Sequence, residues 1–204
     1  MKILNTEDYV NEKLNIQPIE KDKLKARHSQ IPLDINGVVW SATNFKGITY
    51  GGGNHIAPRE LVKDKDYFEF GGETFYTFDA AMKLNLPNGW RIPIEEDFRK
   101  SFKTTNLQKS DFKPFLSKEC GGLDEYGFGA GLIGYVYKGT YIKDGAVSGF
   151  WCAAQSYERG LEKYNNVCYM YDTDDIYRGL CDVGNIVAFP IRLVKGKRVN
   201  PYSE

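Results

Sequence analysis

Histidine is nearly missing from this chain: His28 and His55 are the only two in 204 residues. No nucleophile-elbow or paired-histidine motif accompanies them, so both read as exposed loop residues, and the chain is expected not to be an enzyme. An excess of charge of one sign is missing too. The 27 basic and 27 acidic residues cancel, which removes any global pull toward nucleic acid or an anionic membrane. No run approaches the roughly 18 apolar residues of a membrane span, so neither nucleic-acid binding nor membrane insertion is expected. MKILNTEDYVNEK lacks the apolar h-region of a secretory signal, because Glu7 and Asp8 arrive early. Cysteine is sparse and unpaired in spacing. Cys120, Cys152, Cys168 and Cys181 form no CxxC, which is poor for zinc and leaves disulfide status open. With no export signal, reduced buried thiols are the expectation. No cofactor or metal is called for.

What the chain has in quantity is tyrosine and glycine, 14 and 21 residues, pointing to short strands, tight turns and a tyrosine-rich surface. Its organising stretch is Tyr76 to Phe102, YTFDAAMKLNLPNGWRIPIEEDFRKSF. Thr77 can cap a helix whose buried face is Phe78, Ala81 and Met82. Pro87-Asn88-Gly89 then stops that helix and reverses the chain. Trp90-Arg91-Ile92 is a short extended piece ended by Pro93. Glu95, Glu96 and Asp97 suit the positive end of a second helix, and Ile94, Phe98 and Phe102 supply its stripe.

Residues 1–30 differ from the rest. TEDYVNEKL and IEKDKLKAR read as short amphipathic or charged helices too small to stand alone. They make either loose surface helices or a docking arm anchored by Tyr9, Val10, Leu14, Ile16 and Leu24. From Ile31 the pattern turns to β. GVVWSATNF holds Trp40 as a core candidate, and DYFEF and ETFYTF flank a Gly71-Gly72 turn. Residues 103–128 carry few regular signals. The segments 130–142, 146–157, 166–172, 176–184 and 186–194 then read as an antiparallel meander. The expected class is α+β, two short helices packed on twisted antiparallel sheets. The domain would span 31–198, between the helical arm and a tail at 199–204.

Five of these pieces occur in a telling order: GVVWSATNF, FYTFDAAMKL, LPNGWRIPIEEDF, GFWCAAQSY and VAFPIRLVKG. Together they resemble the Fibrobacter succinogenes major paralogous domain, a branch of the C-type lectin-like fold, over about residues 35–195. The resemblance implies a compact lectin-like fold with neighbouring N- and C-terminal strands, and loops between Trp151 and Ile186 gathered on one face. The same fold carries phage and bacterial ligand-binding proteins diversified by retroelements, in which Asn, Tyr, Asp and Ser recur near the C-terminus.

Residues 155–185 are rich in those types. Tyrosine offers large, stiff contact area, and Asn, Asp and Ser offer adaptable hydrogen bonds. The candidate ligand-binding residues are Tyr157, Tyr164, Asn165, Asn166, Tyr169, Tyr171, Asp174 and Tyr177. The plainer reading is a meander whose solvent face uses Tyr and whose turns use Asn and Asp. The resemblance implies a non-enzymatic display module of adhesin type on a phage virion, assembled in the host cytoplasm. It would bind a host surface glycan or protein, dock to other virion subunits through the arm, and admit homo-oligomers. The alternative is a structural decoration or spacer subunit. A distant third is an oxidase of the formylglycine-generating type, which needs a reactive cysteine pair, whereas Cys152 and Cys168 lie within strand patterns.

Other motifs fail on context. GAGLIG matches the dinucleotide fingerprint but runs into strand-like YVYKGTYI rather than a helix. YGGGN lacks the Gly-Lys-Ser/Thr ending of a phosphate loop. The calcium-lectin Glu-Pro-Asn or Gln-Pro-Asp triplet is absent, and YDTDD has Tyr177 where an EF-hand needs glycine.

Overall fold

The computed structural model describes residues 31–49, 60–103, 112–143, 147–153, 157–159, 162–171, 176–182 and 186–197, with backbone alone for Ser148 and the strands between 157 and 182. The arm with Tyr9, Val10, Leu14, Ile16 and Leu24, the tail, both histidines and YGGGN lie outside these residues.

The described chain is α+β, and every named strand pair is antiparallel. Strand β1 (Pro32–Ile35) pairs with β2 (Val38–Ser41), and β3 (Tyr67–Phe70) with β4 (Glu73–Thr77). The second hairpin turns on Gly71-Gly72, as expected, with φ of 59° and 78°. Two successive residues of positive φ match the right-handed twist of the flanking strands.

Helix α1 (Phe78–Lys83) begins where expected, with Thr77 Oγ1 accepting the Ala80 N–H, and buries Phe78, Ala80, Ala81 and Met82. It ends earlier than Pro87 dictates. Leu84 turns extended, and the Asn85 N–H goes to Thr49 O at 2.7 Å instead of back into the helix. The reversal at 87–89 is nonetheless present, closed by the Trp90 N–H on Pro87 O at 3.0 Å. Strand β5 (Trp90–Arg91) and helix α2 (Glu95–Ser101) follow. Residues 112–132 lack extended secondary structure yet bury Phe112, Phe115, Leu116, Phe128 and Ala130. A core segment hides there because nothing in it is periodic.

Strands β6 (Tyr135–Tyr137), β7 (Thr140–Ile142), β8 (Val147–Trp151), β9 (Tyr157–Arg159), β10 (Glu162–Tyr171), β11 (Ile176–Asp182), β12 (Val187–Phe189) and β13 (Val194–Lys195) complete the order. They do not make one meander. β12 inserts between β4 and β6, and β13 between β2 and β5. The physical reason lies at Pro190, which has no N–H for a ladder, so the chain leaves one sheet there and enters another. The sheets are therefore β1-β2-β13-β5, β3-β4-β12-β6-β7, and β11-β10-β8 with β9 on β10.

Two aromatic clusters meet at β8. One holds Trp151 edge-on to Phe78 and Phe189, with ring centroids at 5.3 and 5.1 Å. The other holds Trp40 against Phe98 and Phe128, together with Phe150. Each indole N–H finds a buried acceptor, Tyr76 O for Trp151 at 2.6 Å and Ser101 Oγ for Trp40 at 2.7 Å.

Candidate functional site

Adjacent residues on β8 bury into different cores, Phe150 into one and Trp151 into the other. Alternation along a strand sends successive side chains to opposite faces, so β8 is clamped from both sides. Further bonds fix its end: the Trp151 N–H on Pro190 O at 3.4 Å, and the Ala153 N–H on Pro93 O at 2.7 Å. The strand is thus a rigid mount for whatever pairs with it.

What pairs with it is β10, in a bulge-free register from Val167 opposite Trp151 to Tyr171 opposite Val147. β11 follows on the far side, from Tyr164 opposite Asp182 to Met170 opposite Ile176. Past Val167 the partner changes, and β9 takes the place of β8, with Tyr164 opposite Tyr157. Of the eight candidate contact residues, Tyr157 is on β9, Tyr164, Asn165, Asn166, Tyr169 and Tyr171 are on β10, and Tyr177 is on β11. Asp174 lies outside the described residues.

The register sorts these positions into two sets. Tyr169 stands opposite both Tyr177 and Gly149, and Tyr164 opposite both Tyr157 and Asp182. Residues 164 and 169 differ in parity, so the two tyrosine pairs belong to opposite faces of the sheet. Asn166 shares a face with Tyr164, whereas Asn165 and Tyr171 share one with Tyr169. The Tyr169 face is also that of Val147 and Trp151, whose side chains are buried. Asp182 joins the Tyr157–Tyr164 row as a neighbour that spacing along the chain alone does not reveal.

Two charged groups brace the frame. Arg91 and Asp97 form a doubly bonded ion pair, and Asp97 also accepts the Ile94 N–H at 2.7 Å. The sequence signal, three acids opening a helix, is general. Asp97 alone of the three is buried.

Arg192 is buried against Phe128, its guanidinium carbon 4.4 Å from the ring centroid. It donates to Phe128 O at 2.7 Å, Ala42 O at 2.9 Å and Asn44 Oδ1 at 3.0 Å. Burial lowers its pKa to about 10, which leaves it charged at neutral pH. An arginine set among Ile191, Leu193 and Val194 is the sequence signal for this role.

Cys120 is a half-buried thiol whose sulfur accepts the Leu132 N–H at 3.4 Å, and Cys152 is buried. Cys168 and Cys181 stand on β10 and β11 opposite Arg178 and Asn165, respectively. Among the described residues no cluster of three metal-ligating side chains occurs, and no helix is long and apolar enough to cross a membrane. The GAGLIG segment leads into β6 rather than a helix. Comparison with protein-family models, curated proteins and solved structures finds no match to this chain.

Proposed function

We infer that this protein is a non-enzymatic ligand-binding and display module of the C-type lectin-like kind, contacting its ligand through the β9–β10–β11 unit. The observation that carries the reading is the mounting of that unit. Tyrosines recur in register on neighbouring strands, and the strand they hang from is locked into two cores by Phe150 and Trp151. A stiff mount lowers the ordering cost of binding, and paired tyrosines supply contact area with few rotatable bonds. The lectin-like reading draws support from the GWRIP turn between two short helices and from β13 lying beside β2. On that reading the chain serves on a virion as an adhesin-like protein for a host surface glycan or protein. Residues 1–30 join it to other subunits.

The Tyr157–Tyr164 row lies past the end of the β8 pairing and is the first place to look for the ligand. The test is a glycan array and a host-cell binding assay run on two double variants, Tyr157→Ala with Tyr164→Ala, and Tyr169→Ala with Tyr177→Ala. Binding by the parent chain that is lost in the first variant, with folding intact by circular dichroism, supports this assignment. Binding that survives both variants removes the unit from consideration.

A further inference from the structure

Every open sheet has edges, and exposed edges invite another strand. Five of the edges here are blunted or covered. β1 opens on Pro32 and carries Asp34. β5 is two residues long, with Pro93 just beyond it. β3 carries Glu69, and its Tyr67 is bridged to Lys63. β7 has three residues. The outer side of β8 is met by the Gly134 N–H on Val147 O at 2.9 Å and by Pro190 O.

β11 differs from all of these. It has seven residues, Ile-Tyr-Arg-Gly-Leu-Cys-Asp, and its register with β10 runs without a bulge. It contains no proline and no lysine. Among the described residues it pairs on one side only. This is the longest edge strand described, and its two charged residues, Arg178 and Asp182, are of opposite sign, so they can pair across an added strand instead of repelling it.

We propose that β11 is a self-association edge, at which a second copy of this chain adds its own β11 antiparallel about a two-fold axis centred on Leu180. The charge pattern selects both the occupant and the register. With Leu180 opposite Leu180 of the second copy, Gly179 faces Cys181, and Arg178 of each copy faces Asp182 of the other. The two opposite-charge pairs are generated by symmetry from the only charged residues in the strand. Shifting the centre by one residue to Gly179 places Arg178 opposite Leu180 and Asp182 opposite Ile176, and both pairs are lost. An isologous contact of this kind closes on itself, giving a dimer rather than a fibre. It joins two β11-β10-β8 sheets into one continuous sheet and places two copies of the β9–β10–β11 unit side by side.

The test is light scattering with sedimentation equilibrium on the full chain. The parent protein is expected to be a dimer. Arg178→Asp or Asp182→Arg alone weakens dimerisation by about tenfold or more, since each reversal sets two like-charge pairs across the strands. The double variant restores it. Leu180→Cys is expected to give a covalent dimer through residue 180 under mild oxidation, identified by peptide mass mapping, while Tyr177→Cys gives none. Circular dichroism on each variant separates lost association from lost folding. A monomeric parent overturns the proposal. So does a dimer whose affinity ignores both charge reversals, or one that yields no link at residue 180.

Discussion

Arg91 and Asp97 meet through two parallel hydrogen bonds, Nη1 to Oδ2 at 2.6 Å and Nη2 to Oδ1 at 2.7 Å, with side chains only 12% and 10% exposed. The pair spans the turn between β5 and α2. Because Asp97 also takes the Ile94 N–H, one carboxylate ties the strand, the turn and the helix start together. A planar guanidinium suits this two-bond geometry, and lysine cannot reproduce it.

Asp97→Ala is therefore expected to lower stability by about 3–5 kcal/mol, because it leaves Arg91 charged and without its partner in a mostly buried site. Replacing both residues, Arg91→Met with Asp97→Leu, should cost far less than the single change. Urea unfolding of the three proteins measures the difference. Equal losses would mean that the pair contributes nothing beyond packing.

Trp151→Phe keeps an aromatic ring between Phe78 and Phe189 but strands the carbonyl of Tyr76, which now takes the indole N–H at 2.6 Å. A buried acceptor without a donor costs about 1–3 kcal/mol. The expected result is a lower melting temperature, together with faster amide exchange in the β8–β10 ladder. Unaltered exchange in that ladder would show that the indole bond does not hold β8.

Gly134→Ala tests the close approach that the GAGLIG segment makes possible. A Cβ there would fall 2.0 Å from Ile142 O, on a residue whose φ is 70°. Backbone must move to admit it, so a loss of about 2 kcal/mol or more is expected in chemical denaturation. Gly37→Ala is the comparison, since nothing lies within 4 Å of its added carbon and only its φ of 84° opposes the change. Gly134→Ala should be the more damaging of the two.

Alkaline pH should act through Tyr76. Its hydroxyl is buried and donates toward Phe45 O and Gly47 O at 3.0 Å, and burial pushes its pKa well above the ordinary 10.0. The unfolded chain thus releases this proton first. The stabilisation is complete below pH 10 and is lost as pH rises beyond it, by about 1.4 kcal/mol per pH unit for one proton. Arg192, whose pKa falls to about 10, acts in the opposite sense over the same range, so the useful quantity is a difference between proteins. Tyr76→Phe should unfold more easily at neutral pH yet lose less stability than the parent between pH 10 and 11. Parallel pH profiles would refute the assignment.

Local features were readable from the chain. The Thr77 cap, the Gly71-Gly72 hairpin, the burial of Trp40 and the acidic opening of α2 follow from side-chain chemistry within a few residues. What escaped reading was set by distant segments. α1 stops at Lys83 because Leu84 turns extended and Thr49 O takes the Asn85 amide, and no window around Lys83 contains Thr49. Asp97 reads as a helix-dipole residue because a six-residue spacing across a proline turn is not a helical one. The insertion of β12 and β13 into earlier sheets is non-local pairing, which hydrophobic alternation cannot specify. The candidate site shows the same division. Composition picks out the tyrosines of 155–185, while their sorting onto two faces needs the registers of β8, β9 and β11.

β13 fills the gap between β2 and β5, with Val194 opposite both Trp40 and Arg91, and β12 fills the one between β4 and β6. A nascent chain therefore holds two unfinished sheets until these final strands emerge from the ribosome. A chain cut short before Val187 would lack the strand that joins β4 to β6 and the one that joins β2 to β5, so neither of these two sheets could close.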